Sequence, residues 1–227
     1  TEHFEYSKLS DISMQTELEN GLTPKLSWSF AFSETSFTPL KGFPLIEQAS
    51  GHFVSRDYAT TVILEEGIIF DDKGKAIDIA GSSFFIKDSR IKPSPAKILI
   101  NADGALSSMS KVLNKPPLRL MNKLQQPVDF GNAHVSGKGR VEILLKSNLT
   151  SDEIFYEVKG TAKKFSSNVI NPDFDISNGT LEFFANKKGL EIKGNAKVKN
   201  LPVQANFSGS IEKDEAKFLE IDFNLSD

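Results

Sequence analysis

Leu26-Ser27-Trp28-Ser29-Phe30-Ala31-Phe32 decides the fold class. Its large apolar residues fall on even positions and its small or polar ones on odd positions. Successive side chains of a strand point to opposite faces, so this spacing makes one face apolar and leaves the other to water. The same alternation recurs in Val141/Ile143/Leu145, Ile154/Tyr156/Val158, Leu181/Phe183/Ala185, Val203/Ala205/Phe207 and Ile221/Phe223/Leu225. The expected fold is therefore mainly β, an extended antiparallel sheet that is either an open groove or sandwich-like.

Turn residues separate the runs. Asp71-Asp72-Lys73-Gly74 stands between Ile68-Ile69-Phe70 and Ala76-Ile77-Asp78-Ile79, and Asn186-Lys187-Lys188-Gly189 stands between two further strands. Glycine supplies positive φ at such points, and Asp or Asn bonds its own backbone there. Links this short favour hairpins over parallel crossovers. The C-terminal hundred residues read as a meander of about seven strands. Residues 1–20 read as strand or irregular. Ser50-Gly51-His52-Phe53 and Ser177-Asn178-Gly179-Thr180 open similar stretches in the two halves, at spacings too irregular for a strict repeat.

One segment departs from period two. Leu106, Met109 and Leu113, with Ala105 and Val112 beside them, follow helical spacing, and Asp103 is positioned to cap the helix. Asn114-Lys115-Pro116-Pro117 ends it, and Pro117 can start a second short helix through Leu118, Leu120, Met121 and Leu124. A helical insert over about 104–125 is expected within one β-rich segment spanning 1–227.

Composition narrows the function classes. The chain has 227 residues, 39% hydrophobic and 25% charged, which is a globular balance. A net charge of -3 with interspersed signs gives no basic stripe, so no nucleic-acid partner is expected. Zero cysteines exclude disulfides, thiolate metal sites and thiol nucleophiles. No apolar run approaches the roughly 18 residues of a membrane span, and Thr-Glu-His-Phe-Glu-Tyr at the start lacks the basic head and apolar stretch of a signal peptide. The last strand has almost nothing after it, and the chain reads as a piece of something longer.

Catalytic patterns are weak. His3, His52 and His134 stand apart, without the paired spacing a metal site needs. Asp71-Asp72 has the chemistry of a turn. Asp173 and Asp175 share a face of a short strand, a setting better explained by an exposed edge than by glycoside hydrolysis. No Gly-x-Ser-x-Gly elbow or phosphate-binding glycine loop occurs, and Gly137-Lys138-Gly139-Arg140 leads into a strand rather than a helix. The expectation is a non-enzyme with no catalytic residue, no metal and no cofactor.

The apolar face remains. The chain carries 18 Phe against one Trp and three Tyr. Phe offers apolar area without a polar tip, which suits either an ordinary core or a surface that holds acyl chains. Trp28, Phe30, Phe32, Ile143, Leu145, Tyr156, Leu181, Phe183, Phe207, Ile221 and Phe223 are the candidate lipid-binding residues, chosen by alternation.

Ile77-Asp78-Ile79-Ala80-Gly81-Ser82-Ser83-Phe84-Phe85-Ile86, followed by Ile91-Lys92-Pro93-Ser94-Pro95-Ala96, resembles the YhdP-like branch of the AsmA-like family. Lys115-Pro116-Pro117-Leu118, Val135-Ser136-Gly137-Lys138-Gly139, Ile176-Ser177-Asn178-Gly179-Thr180-Leu181 and Gly189-Leu190-Glu191-Ile192-Lys193-Gly194 are similar to later parts of the family unit. The likeness spans roughly 40–212. It rests on turn and strand patterns, and it carries over no catalytic residue and no residue-level lipid motif. It implies a long, curled sheet in the periplasm of a Gram-negative envelope, anchored in the inner membrane through a segment this chain lacks. The implied partners are phospholipid acyl chains, passing towards the outer membrane, and the remaining segments of the same long chain. The competing expectations are an envelope scaffold whose apolar face is wholly buried and, third, a β-sandwich that binds or cleaves carbohydrate.

Overall fold

The computed structural model describes residues 7–18, 25–39, 43–115, 132–146, 149–167, 176–210 and 217–223. Its strands, in chain order, are β1 (Lys8–Glu17), β2 (Lys25–Phe37), β3 (Ile46–Arg56), β4 (Ala59–Phe70), β5 (Ala76–Asp78), β6 (Ser83–Ile86) and β7 (Ser94–Ala105). Among the described residues one α-helix, α1 (Leu106–Asn114), follows, and then come β8 (His134–Leu145), a 3-10 turn (Ser151–Glu153), β9 (Phe155–Ser167), β10 (Ile176–Asn186), β11 (Leu190–Val198), β12 (Leu201–Gly209) and β13 (Lys217–Phe223). The thirteen described strands form one curved antiparallel sheet in which chain neighbours pair, β5 and β6 excepted. The short strands β5 and β6 share the place between β4 and β7. This is the mainly β architecture with a short helical insert that the alternation and the turns require.

The expected hairpin turns are present. In the β4–β5 turn Gly74 takes φ +73° and its N–H donates to the Asp71 carbonyl over 2.9 Å. In the β10–β11 turn the Asn186 side-chain oxygen accepts the Lys188 N–H at 2.8 Å and the Gly189 N–H at 3.2 Å.

Bulges bend the sheet. Register shifts by one residue near Asp11, Glu34 and Gln48 in the adjoining strands β1, β2 and β3, and again near Lys164 and Asn178 in β9 and β10. Each of these residues has φ between 50° and 57°. An extra residue of this kind kinks its strand and tightens the local twist, and bulges side by side make neighbouring strands turn together.

The helix differs in detail from the expectation. Asp103 does not cap it. That residue lies in β7, its carboxylate 2.8 Å from His134 Nε2, and the capping position is Ala105, which makes no side-chain cap bond. The buried stripe is Met109 and Val112 with half-buried Leu106, whereas Leu113 is 38% exposed. Spacing alone allowed either Val112 or Leu113 to follow Met109, and docking selects the former. The second helix expected from Pro117 lies outside the described residues.

The largest core cluster joins Phe32, Ile46, Ala49, Leu64 and Ile77 to Val135 and Ala162, with Met109 and Val112 of α1 inside it. A second cluster gathers Ala96, Ile143 and Ile154, and a third Ala196, Val198 and Val203. All three lie on one face of the sheet.

Candidate functional site

Residues directly opposite in an antiparallel ladder share a face, so the register extends that face from strand to strand. Phe30 pairs with Phe53, Phe53 with Val62, Val62 with Phe84, Phe84 with Ile98, Ile98 with Val141, and Val141 with Tyr156. This row crosses β2, β3, β4, β6, β7, β8 and β9 with no polar group before the phenol of Tyr156 at its end, and every member is half-buried. Trp28 belongs to the next row, which ends in Ile86, Ala96 and Ile143. On the other side of the central row, Val135, Ala162 and Leu181 line up, and beyond β10 Phe183 pairs with Ile192 and Ile192 with Phe207.

The residues chosen by alternation whose side chains are described therefore occupy the same face. Trp28, Phe30, Phe32, Ile143, Leu145, Tyr156, Leu181, Phe183 and Phe207 follow one another through the ladder, and the backbone register sets Ile221 opposite Ala205 and Phe223 opposite Val203. Their burial is uneven. Phe32 and Ile143 are covered by the chain itself, Phe30, Tyr156, Leu181, Phe183 and Phe207 are half-buried, and Trp28 is 42% exposed. Ser27, Ser29, Glu182, Asn206 and Asp222 take the alternate positions on the opposite face.

Aromatic rings concentrate at the β2–β3 side. Phe30 and Phe53 stack with centroids 4.9 Å apart, and Trp28 lies 4.6 Å from Phe53 in a tilted contact. Such pairs add about 0.5–1.5 kcal/mol beyond area burial. Tyr156 ends the same row, and burial pushes its phenol above the ordinary range. Two pieces of chain cover the ends of the face. At one end α1 packs into the cluster that contains Ile77, Val135 and Ala162, and at the other Ile154, 1% exposed, clusters with Leu149, Ala96 and Ile143. Ile154 precedes β9 rather than belonging to it, so its place in the alternating run reflects packing and not strand geometry.

Compared with family models, with curated proteins and with solved structures, the chain matches none.

The polar candidates are scattered. His52 and His134 are exposed strand residues, each beside one carboxylate, Glu65 at 3.1 Å and Asp103 at 2.8 Å. Among the described residues no cluster of His, Asp and Glu could hold a metal ion, and no helix is long and apolar enough to cross a membrane. His3, Asp173 and Asp175 lie outside the described residues. Gly137 and Gly139 sit within β8, opposite Gly160 and Val158.

Asp71 has a role beyond turn formation. Its side chain is fully covered. Oδ1 accepts the N–H of Lys73 at 2.8 Å and of Lys75 at 2.9 Å, while Oδ2 accepts the Ser108 hydroxyl at 2.9 Å and lies 3.4 Å from Lys111 Nζ. The Lys75 N–H foremost, then the Lys73 N–H, the Ser108 hydroxyl and the Lys111 ammonium, hold this carboxyl well below the usual carboxylate range against the opposing effect of burial. Beside it, Lys115 Nζ is 2.7 Å from Asp72. Asp-Asp-Lys-Gly signals a turn in sequence. That the first Asp also anchors a helix thirty-seven positions on is a tertiary fact with no local signature.

Proposed function

We propose that this chain is a non-enzymatic, lipid-handling segment of the AsmA-like kind, whose apolar face shields phospholipid acyl chains while their headgroups stay in water. The observation that carries the reading is the unbroken row from Phe30 to Tyr156, apolar in every strand it crosses up to the phenol at its end and half-buried throughout. A soluble protein that leaves a large contiguous apolar surface open ordinarily uses it for binding. Acyl chains need only shielding from water, which a curved apolar face supplies without chemistry. On this reading the protein works in the periplasm, between inner and outer membranes, with further segments of a longer chain and an inner-membrane anchor outside this sequence.

The scaffold alternative draws support from Phe32, Leu64 and Ile143, which are already buried. If that covering extended over the whole face, the module would be structural. Native mass spectrometry of freshly purified protein separates the two. Co-purified phospholipid, released on collisional activation, is the expected result, and a protein free of lipid after detergent-free isolation from membranes would favour the scaffold.

A further inference from the structure

We propose that α1 is an internal occupant of the apolar trough, and that an acyl chain competes with it for the core cluster it packs into, which contains Ile77, Val135 and Ala162; this rests on the lipid reading above. The helix has little to hold it together apart from docking. It is nine residues long, Ala105 at its N-cap gives no side-chain bond, and its first turn has no acidic residue. Helices of that length are marginal in water, and a missing cap weakens them further. Its order therefore comes from Met109, Val112 and Leu106 against the core cluster.

That cluster is continuous with the half-buried row. Gly104, Val135 and Ala162 lie on the same face as Ile98, Val141 and Tyr156, a few positions along the same strands. An acyl chain lying along these strands therefore runs into the cluster that α1 fills.

The polar side of α1 is held by contacts that part without leaving an orphan. Ser108 and Lys111 use Oδ2 of Asp71, while Oδ1 keeps the Lys73 and Lys75 N–H groups of its own turn whether or not the helix is docked. Undocking thus exposes one oxygen to water and opens the exposed Lys115–Asp72 pair, instead of burying an unpaired charge. The docking is apolar contact plus a releasable latch, which suits a plug more than a permanent core helix.

The chain has no cysteine, so Asp72→Cys with Lys115→Cys creates a unique pair that a short bismaleimide can join. The probe is a lysophosphatidylethanolamine brominated on its acyl chain, kept below its micellar concentration, with binding read as quenching of Trp28. Hydrogen exchange of the 106–114 amides is followed in parallel. Competition predicts that lipid raises exchange in α1, and that joining the pair shifts the quenching titration to higher lipid than the same variant unjoined. Quenching of Trp28 with α1 exchange unchanged or slowed, and titrations identical before and after joining, would overturn the competition and leave the trough standing. No quenching in any form would overturn both.

Discussion

The ring of Phe183 rests on Gly160. A Cβ added to that glycine would stand 2.8 Å from Phe183 Cζ and 2.7 Å from the Ser136 carbonyl oxygen, and Gly137 lies directly across from it in β8. Two facing glycines leave a thin place in the sheet, and the aromatic side chain of the next strand covers it.

Gly160→Ala should therefore destabilise the protein by roughly 1–3 kcal/mol, because both the ring and a neighbouring backbone carbonyl must move. Gly139→Ala is the control. Its added methyl meets nothing closer than 3.5 Å, so it should be neutral or stabilising by up to about 1 kcal/mol through the unfolded chain. Urea midpoints of the two variants at constant m-value check this.

The helix gives a second contrast. Met109→Ala empties a packed position and should cost about 2–4 kcal/mol. Leu113→Ala, on the exposed side, should stay within about 0.5 kcal/mol of the parent. Equal losses at both positions would place the stripe where the sequence spacing first suggested.

Alternation made the apolar face legible wherever strands run without interruption, as from Leu26 to Phe32 or from Leu181 to Ala185. It failed where bulges intervene. Leu9 and Met14 are an odd number of positions apart, yet both share the face of Phe32 and Trp28, because the extra residue near Asp11 resets the phase of β1. Ile176 and Leu181 are related in the same way across Asn178. Period-two reading breaks at each such point, which is why Lys8–Glu17 shows no clear alternation. The burial of Asp71 was equally hidden, since it depends on Ser108 arriving from a distant helix.

Asp71 makes stability depend on pH in a definite sense. Its carboxyl is held below its unfolded value by hydrogen bonds, so it stabilises the fold at pH values above the unfolded carboxylate pKa of about 4. The contribution is lost as pH falls below that value and is gone once the folded carboxyl itself protonates. Asp71→Asn should lower the melting temperature at pH 7, and the gap to the parent should shrink steadily below about pH 4. A gap that widens on acidification would contradict the assignment.

A charge on the apolar face separates trough from sealed core. Phe207 is half-buried opposite Ile192, and Asn206 beside it faces the other way. In a trough the carboxylate of Phe207→Asp can stay hydrated when lipid is absent, so the protein should fold with native circular dichroism and carry less phospholipid. Asn206→Asp should leave lipid unchanged. Unfolding of Phe207→Asp would point to a closed core.

Trp28 tests the central claim most directly, because it is the only tryptophan in the chain and stands on the apolar face beside Phe53. Its neighbour Ser29 points to the opposite face at nearly the same depth along β2. Quenching by phospholipid brominated on the acyl chain should be compared for the parent and for a Trp28→Phe, Ser29→Trp variant. The account predicts saturable quenching in the parent and little in the variant. Equal quenching of both, or none of either, would contradict an apolar face that holds acyl chains.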